Sequence, residues 1–405
     1  MREIEKNIED LKGEMVEALK KFISINSVNP SFGGPGEYKK AIWLENLLKM
    51  LGYDEVRRID IPDDRVEEKV RPNVIGIIRG KESGRKIWIV THMDTVPEGD
   101  RNLWETDPFE GIEKDGRIFG RGAEDNGGSM IASIYAGVAL KRAGIKPDYD
   151  YCVALVADEE AGSEYGIAPL LRKGIFGKED LVIVADAGEK DGSFIEVAEK
   201  SIVWIKLETI GKQGHASNPD ECVNAHRIGM EVALDFYRYV RKKYSDEDPL
   251  FTPSRTTFEP TRKEENVGNV NTIPGKDVLY FDGRILPKYD LDDFIYDLEK
   301  LAMKHEVEKK VKIKLDVIQR FDAPPPTPTD SDVVERLKDT IEKLRGIKVK
   351  IGGIGGGTCA AHFRRLGIPA VVWSTIDGTA HNANEYARIE NLVNDAKVYA
   401  MMAIS

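Results

Sequence analysis

The chain has 405 residues, 41% of them hydrophobic and 32% charged, with a formal net charge of −11. That length asks for roughly two or three domains, the balance is globular rather than disordered, and an acidic total without a basic block argues against a nucleic-acid partner. Cys152, Cys222 and Cys359 have no paired spacing for a disulfide framework or a thiolate zinc site, and no apolar stretch approaches the span of a membrane helix.

The amino terminus, MREIEKNIEDLKGEMVEALKKF, is charged and amphipathic, unlike a signal peptide, so a cytoplasmic enzyme is expected. Ile4, Ile8, Leu11, Met15, Leu19, Phe22 and Ile23 recur three or four apart and predict a helix with one buried stripe. The turn-rich NSVNPSFGGPGEY precedes a second helix ending near residue 51. The short apolar runs NVIGIIRG, KIWIVTH, YCVALVA, LVIVADAG and AVVWST bear the marks of buried parallel strands. With helical patterns such as GSMIASIYAGVALKRAG between them, they predict an α/β sheet. From about residue 198 the pattern becomes β-α-β-β-α-β, the order of a ferredoxin-like α+β unit. The proline-rich DAPPPTPTDSD then returns the chain to the first sheet. The expected division is a catalytic domain of residues 1–197 and 321–405 with residues 198–320 inserted.

In an open parallel sheet, ligands collect beyond the carboxyl ends of the strands. KIWIVTHMD brings His92 and Asp94 to such an end, YCVALVADEE brings Asp158, Glu159 and Glu160, and LVIVADAG brings Asp186. GRIFGRGAEDNGG places Asp125 in a glycine-rich turn before a helix, and AVVWSTIDGTAHNANEY carries His381 on a loop. Singly, each reads as a solvated turn acid or a structural histidine. Gathered on one rim, they read as a histidine–carboxylate site for zinc, cobalt or manganese. Two divalent ions would be balanced by Asp125, Glu160, Asp186 and a hydroxide. Adjacent strand residues point opposite ways, so Glu159 is left to take a proton beside the ion that Glu160 binds. Asp94 can orient the His92 imidazole.

THMDTVPEGD, GRIFGRGAEDNGG, DEEAG, ADAG and AHNANEY resemble, in order, the five motifs of a two-zinc amidohydrolase family. That family contains acetylornithine deacetylase, succinyl-diaminopimelate desuccinylase, aminoacylase and glutamate carboxypeptidase. The resemblance covers nearly the whole chain and implies a zinc-exopeptidase-like α/β catalytic domain with the insert as a lid and homodimerisation domain. It implies one metal on His92, Asp125 and Asp186, a second on Asp125, Glu160 and His381, and Glu159 as general base. In GKQGHASNP it makes His215 an oxyanion donor, in NVNTIPG it makes Asn271 a substrate contact, and in FDGRILP it makes Arg284 the partner of a substrate carboxylate. GGIGGGTCAAHF lacks the Lys-Ser/Thr of a nucleotide loop. It is similar instead to the family's Gly-Gly-Thr turn, where Gly357 and Thr358 approach substrate, with Cys359-Ala360 replacing the usual Ser-Asp. His226, His305 and His362 are expected in core or surface roles.

The expected function is therefore hydrolysis of amide bonds in N-acyl amino acids or small peptides bearing a free carboxylate, using two divalent ions, zinc first and cobalt or manganese as alternatives. The partners expected are that small substrate and a second copy of the chain, with neither nucleic acid nor membrane. The competing reading is a non-catalytic metal- or peptide-binding protein of the same fold, which would not need a glutamate at position 159.

Overall fold

In the computed structural model, which describes residues 2–404, the amino-terminal periodicity becomes the helix Arg2–Ser24, with all seven stripe residues buried. The second helix, Tyr38–Met50, stops where Gly52 takes a left-handed φ of 79°. The chain divides into two compact units. One holds the residues up to Val197, Thr327–Ile351 and those from Thr358 onward, and the other holds Ala198–Pro326 with Gly352–Gly357.

The first unit is organised by an eight-stranded sheet. Its spatial order is Glu55–Pro62, Val70–Ile78, Tyr149–Val156, Glu82–His92, Leu181–Glu189, Ala370–Thr375, Phe194–Glu199 and Lys350–Ile354. The middle four strands are parallel neighbours, as their apolar runs predict. Val70–Ile78 is not: it lies antiparallel to Tyr149–Val156, with Val74 opposite Leu155. Only residues 79–81 join it to the next strand, and a parallel return needs a crossover of roughly a dozen residues or more. The sheet is therefore mixed. Three strands lie outside the predicted set, and two of them carry weak signals for physical reasons. Glu55–Pro62 lies at an edge and is never fully buried. Phe194–Glu199 contains Glu196, whose buried charge is met by Arg364 at 2.9 and 3.0 Å. Trp88, Val90, Ala154, Val184 and Val372 pack with Phe176 and Phe363 in the core of this unit. Among the described residues, no helix is long and apolar enough to cross a membrane.

The second unit has a four-stranded antiparallel sheet ordered Thr257–Lys263, Lys276–Ile285, Ser201–Ile210, Lys312–Phe321. Helices Ala225–Lys243 and Leu291–Lys309 complete the β-α-β-β-α-β order. Both begin at side-chain caps, Asn224 accepting from Arg227 N–H and Asp290 from the N–H groups of Asp292 and Asp293. Alternate residues Val203, Ile205 and Leu207 face Phe236, Phe281 and Phe294 in a separate core.

Candidate metal centre

Strand register brings the first candidate ligands together. Glu82–His92 lies between two parallel neighbours, with His92 opposite Val156 and Val90 opposite Val184. Two residues beyond Val90 and Val184, His92 and Asp186 are level. The Asp158–Glu160 turn starts just past Val156, so three strand ends share one rim. Asp125 and His381 come from irregular backbone, Asp125 three residues after left-handed Gly122 and His381 itself at φ 63°.

Asp125 is the central group. Its Oδ1 lies 2.7 Å from His92 Nε2, and its Oδ2 lies 3.1 Å from His381 Nε2. His92 Nε2 is also 3.3 Å from Asp186, and His381 Nε2 is 3.2 Å from Glu160. Two sets of donor atoms result, His92 with Glu159 and Asp186, and Asp125 with Glu160 and His381, each within 4.8 Å of one another. The clustered carboxylates and imidazoles perturb one another. Burial pushes the Glu159 carboxyl well above its ordinary range, and Asp186 and Glu160 push the same way. Burial works against ionised Asp125, yet hydrogen bonds from His381 and His92 hold it well below the carboxylate range. Hydrogen bonds to Asp125 and Glu160 raise His381 to about 10. Four convergent carboxylates and two imidazoles, without sulfur, fit divalent zinc, cobalt or manganese.

The structure revises two details. Glu159 and Glu160 do not diverge by strand alternation, because the strand ends at Val156, Asp158 is left-handed and Glu159–Ala161 forms one 3₁₀ turn. Asp94 orients His92 chiefly through its backbone, the carbonyl lying 3.0 Å from Nδ1 and the carboxylate 3.5 Å. That carboxylate instead accepts from Glu159 N–H at 3.0 Å, Glu160 N–H at 3.2 Å and Asn29 Nδ2 at 2.8 Å. Asn29 Nδ2 also donates to Asp158 at 3.0 Å, and Asp158 lies 3.3 Å from buried Arg71. Asn126 ties two elements by donating to Ala185 O and to Asp186 Oδ1. Neither Asn29 nor Asn126 is singled out by sequence reasoning; the only signals are an Asn-Pro turn and a position next to Asp125.

His215, Asn271, Arg284 and Gly357 belong to the second unit, and Thr358 to the first. His215 and Asn271 are neighbours across a short ladder, where Ala216 N–H donates to Asn271 O at 2.9 Å. His215 Nδ1 lies 2.7 Å from Ser217 Oγ and 3.2 Å from Ser217 N. Arg284 forks onto Asp282 at 2.8 and 2.9 Å and donates to Gly355 O at 2.7 Å. The fork expected to receive a substrate carboxylate is thus occupied by a neighbouring side chain. Within the glycine run, packing constrains Gly353, where a Cβ would lie 2.3 Å from the Phe251 ring, whereas a Cβ at Gly355 would meet nothing within 4 Å.

Comparison with known proteins agrees with this architecture. Residues 88–405 match the model of peptidase family M20/M25/M40. An uncharacterized metallohydrolase of Methanococcus maripaludis is 38% identical over 95% of this chain and 97% of its own length. The succinyl-diaminopimelate desuccinylase of a Nitratiruptor species is 28% identical over 75% of this chain and 79% of its own. The crystal structure of aminopeptidase PepT from Bacillus cereus superposes with a TM-score of 0.73 at 21% identity, covering 97% of this chain and 98% of that one. The chain belongs to peptidase family M20/M25/M40 and is a metal-dependent amidohydrolase or peptidase.

Proposed function

We propose that the chain hydrolyses the amide bond of N-acyl amino acids or small peptides whose scissile bond lies next to a free carboxylate. Two divalent ions, zinc first, would be held by His92, Asp125 and Asp186 and by Asp125, Glu160 and His381. The observation that carries this reading is the unequal tethering of the carboxylates. Asp125, Glu160 and Asp186 each meet a histidine nitrogen, whereas among the described residues the Glu159 side chain accepts no protein hydrogen bond. A carboxylate beside a metal pocket but untied is suited to carrying a proton.

When bound, the ions supply Lewis acidity that polarises the scissile carbonyl and acidifies a water. The chain's own groups do the rest. The Glu159 carboxylate takes a proton from the attacking water and returns it to the leaving nitrogen. Burial, which disfavours its charge, helps it keep the proton between those events. Asp94 and Asn29 hold the turn that aims it. His215 would donate to the carbonyl oxygen as that oxygen gains charge, and Arg284 would pair with the substrate carboxylate through the N–H groups that Asp282 leaves over. The reading also makes the enzyme cytoplasmic and a homodimer through its second unit, which sedimentation of the purified chain would test.

The deciding experiment is a panel of N-succinyl and N-acetyl amino acids and dipeptides, assayed with chelator and after metal restoration. Activity should vanish with chelator and return with zinc or cobalt. Glu159→Gln should keep wild-type metal content and lose about 10²–10⁴-fold in kcat. Turnover near wild type in that variant would remove the base assignment, and turnover indifferent to chelator would remove the mechanism.

A further inference from the structure

His381 poses a structural problem that its own segment does not solve. Its side chain is 54% exposed and its φ is 63°. It lies in the connection between strands Ala370–Thr375 and Tyr386–Arg388, outside any ladder. Asp125 is likewise on irregular backbone, with φ −116° and ψ 87°. A pocket with one exposed ligand on a turn has to be braced from elsewhere.

The brace is reciprocal. Glu124, buried next to Asp125, reaches into the connection before His381, where its carboxylate accepts from the N–H groups of Asp377 and Thr379. It also accepts from Thr379 Oγ1 at 2.9 Å and Ala380 N–H at 3.0 Å. Glu385, just after His381 and fully buried, reaches back. Its carboxylate accepts from Gly122, Glu124 and Asp125 N–H at 3.1, 2.9 and 3.0 Å. Arg121 closes the loop, donating to Glu385 at 2.6 Å and to His381 O at 3.3 Å. Each segment thus supplies a carboxylate that gathers the other's backbone donors.

We infer that Glu124 is a positioning residue of the metal centre, holding residues 377–380 so that His381 completes the second metal set with Asp125 and Glu160. This rests on the proposed two-metal reading. A carboxylate offers acceptors only, so it can take four donors at once. A glutamine would turn an NH2 group against N–H donors and release part of the segment. Glu124 acts through His381 rather than on substrate, and Glu385 keeps Asp125 in place when Glu124 is changed. The loss should therefore fall on one metal equivalent.

The test titrates cobalt(II) into the metal-free, full-length protein and follows visible absorption, with thermal unfolding of the same metal-free samples. The wild type should bind two equivalents, and His381→Ala should lose the second. Glu124→Gln should weaken that second equivalent by about 10–100-fold, as loss of an outer partner does, and leave the first unchanged. Thr379→Val removes one donor to Glu124, together with the hydroxyl's contacts to Tyr386 O and N–H, and should weaken the second equivalent several-fold, which decides the matter if Glu124→Gln does not fold. Wild-type affinity at both equivalents in Glu124→Gln, or in Thr379→Val where only that variant folds, would overturn the inference. So would an equal loss at both equivalents that tracks a lower thermal midpoint. If His381→Ala still binds two equivalents, the two-metal reading beneath it fails instead.

Discussion

Behind the Asp158–Glu160 turn lies a buried ion cluster whose removal should be costly in a calculable way. Arg71 is wholly buried and donates through Nε to Glu37 at 2.6 Å and through Nη2 to its other oxygen. It lies 3.3 Å from Asp158 and 3.4 Å from Asp63. Burial already raises Glu37 to about 6 against the pull of Arg71. Arg71→Leu would strand Glu37 and Asp158 in a low-dielectric site, and unpairing a buried ion costs about 3–5 kcal/mol. At about 1.2–1.8 °C per kcal/mol for a folding unit of this size, the thermal midpoint should fall by about 4–9 °C. Replacing Glu37 with Leu as well should recover at least half of the loss, because Asp63 keeps Arg65 at 2.8 Å and Asp158 keeps Asn29 and Tyr165 N–H. Urea unfolding of the metal-free proteins, followed by circular dichroism, measures both steps. A single variant within about 1 kcal/mol of wild type, or a double variant no better than the single, would refute the assignment of the cluster as a mutually dependent buried network.

Two further outcomes can be stated. Burial, with Arg365 and Arg172 nearby, lowers His362 to about 4 from an ordinary 6.5. The unfolded chain then takes up the proton first as pH falls, so stability is full above 6.5, declines between 6.5 and 4, and levels off below. His362→Gln should remove about 3 kcal/mol of that decline, and urea midpoints with identical pH slopes in both proteins would contradict it. At Gly166 a Cβ would lie 1.9 Å from Ala157 O, a backbone atom that cannot yield. Gly166→Ala should cost about 1–3 kcal/mol and lower kcat more than KM changes, because Ala157 leads into the Glu159 turn; wild-type kcat and midpoint together would contradict it.

The convergence of these side chains was legible because the candidate ligands end apolar runs. Once KIWIVTH, YCVALVA and LVIVADAG are taken as neighbouring strands, His92, Glu160 and Asp186 have to meet, and His92 and Asp186 do so at 3.3 Å. The limits were equally physical. Local pattern does not report strand direction, so NVIGIIRG reads as a parallel strand, although a three-residue link makes Val70–Ile78 antiparallel. Nor does it report which residues brace a turn. Asn29 and Arg71 look like a loop amide and a strand arginine until the fold buries both against acids that lie far along the chain.

The acids Asp158, Glu159 and Glu160 show why that distinction matters for chemistry. They are adjacent and nearly identical in kind, yet their neighbours come from separate parts of the chain. Asp158 faces Arg71 and Asn29, Glu160 faces His381, and the Glu159 side chain lies beside His92 and Asp186 while only its backbone N–H is tied, to Asp94. A carboxylate fixed by an arginine is a strut, and one beside an imidazole is a candidate ligand. One left untied between them is free to exchange a proton. Their unequal uses are set by residues as far as 221 positions away, so replacing a distant partner such as Asp94 should change the function of the turn without altering any of its three acids.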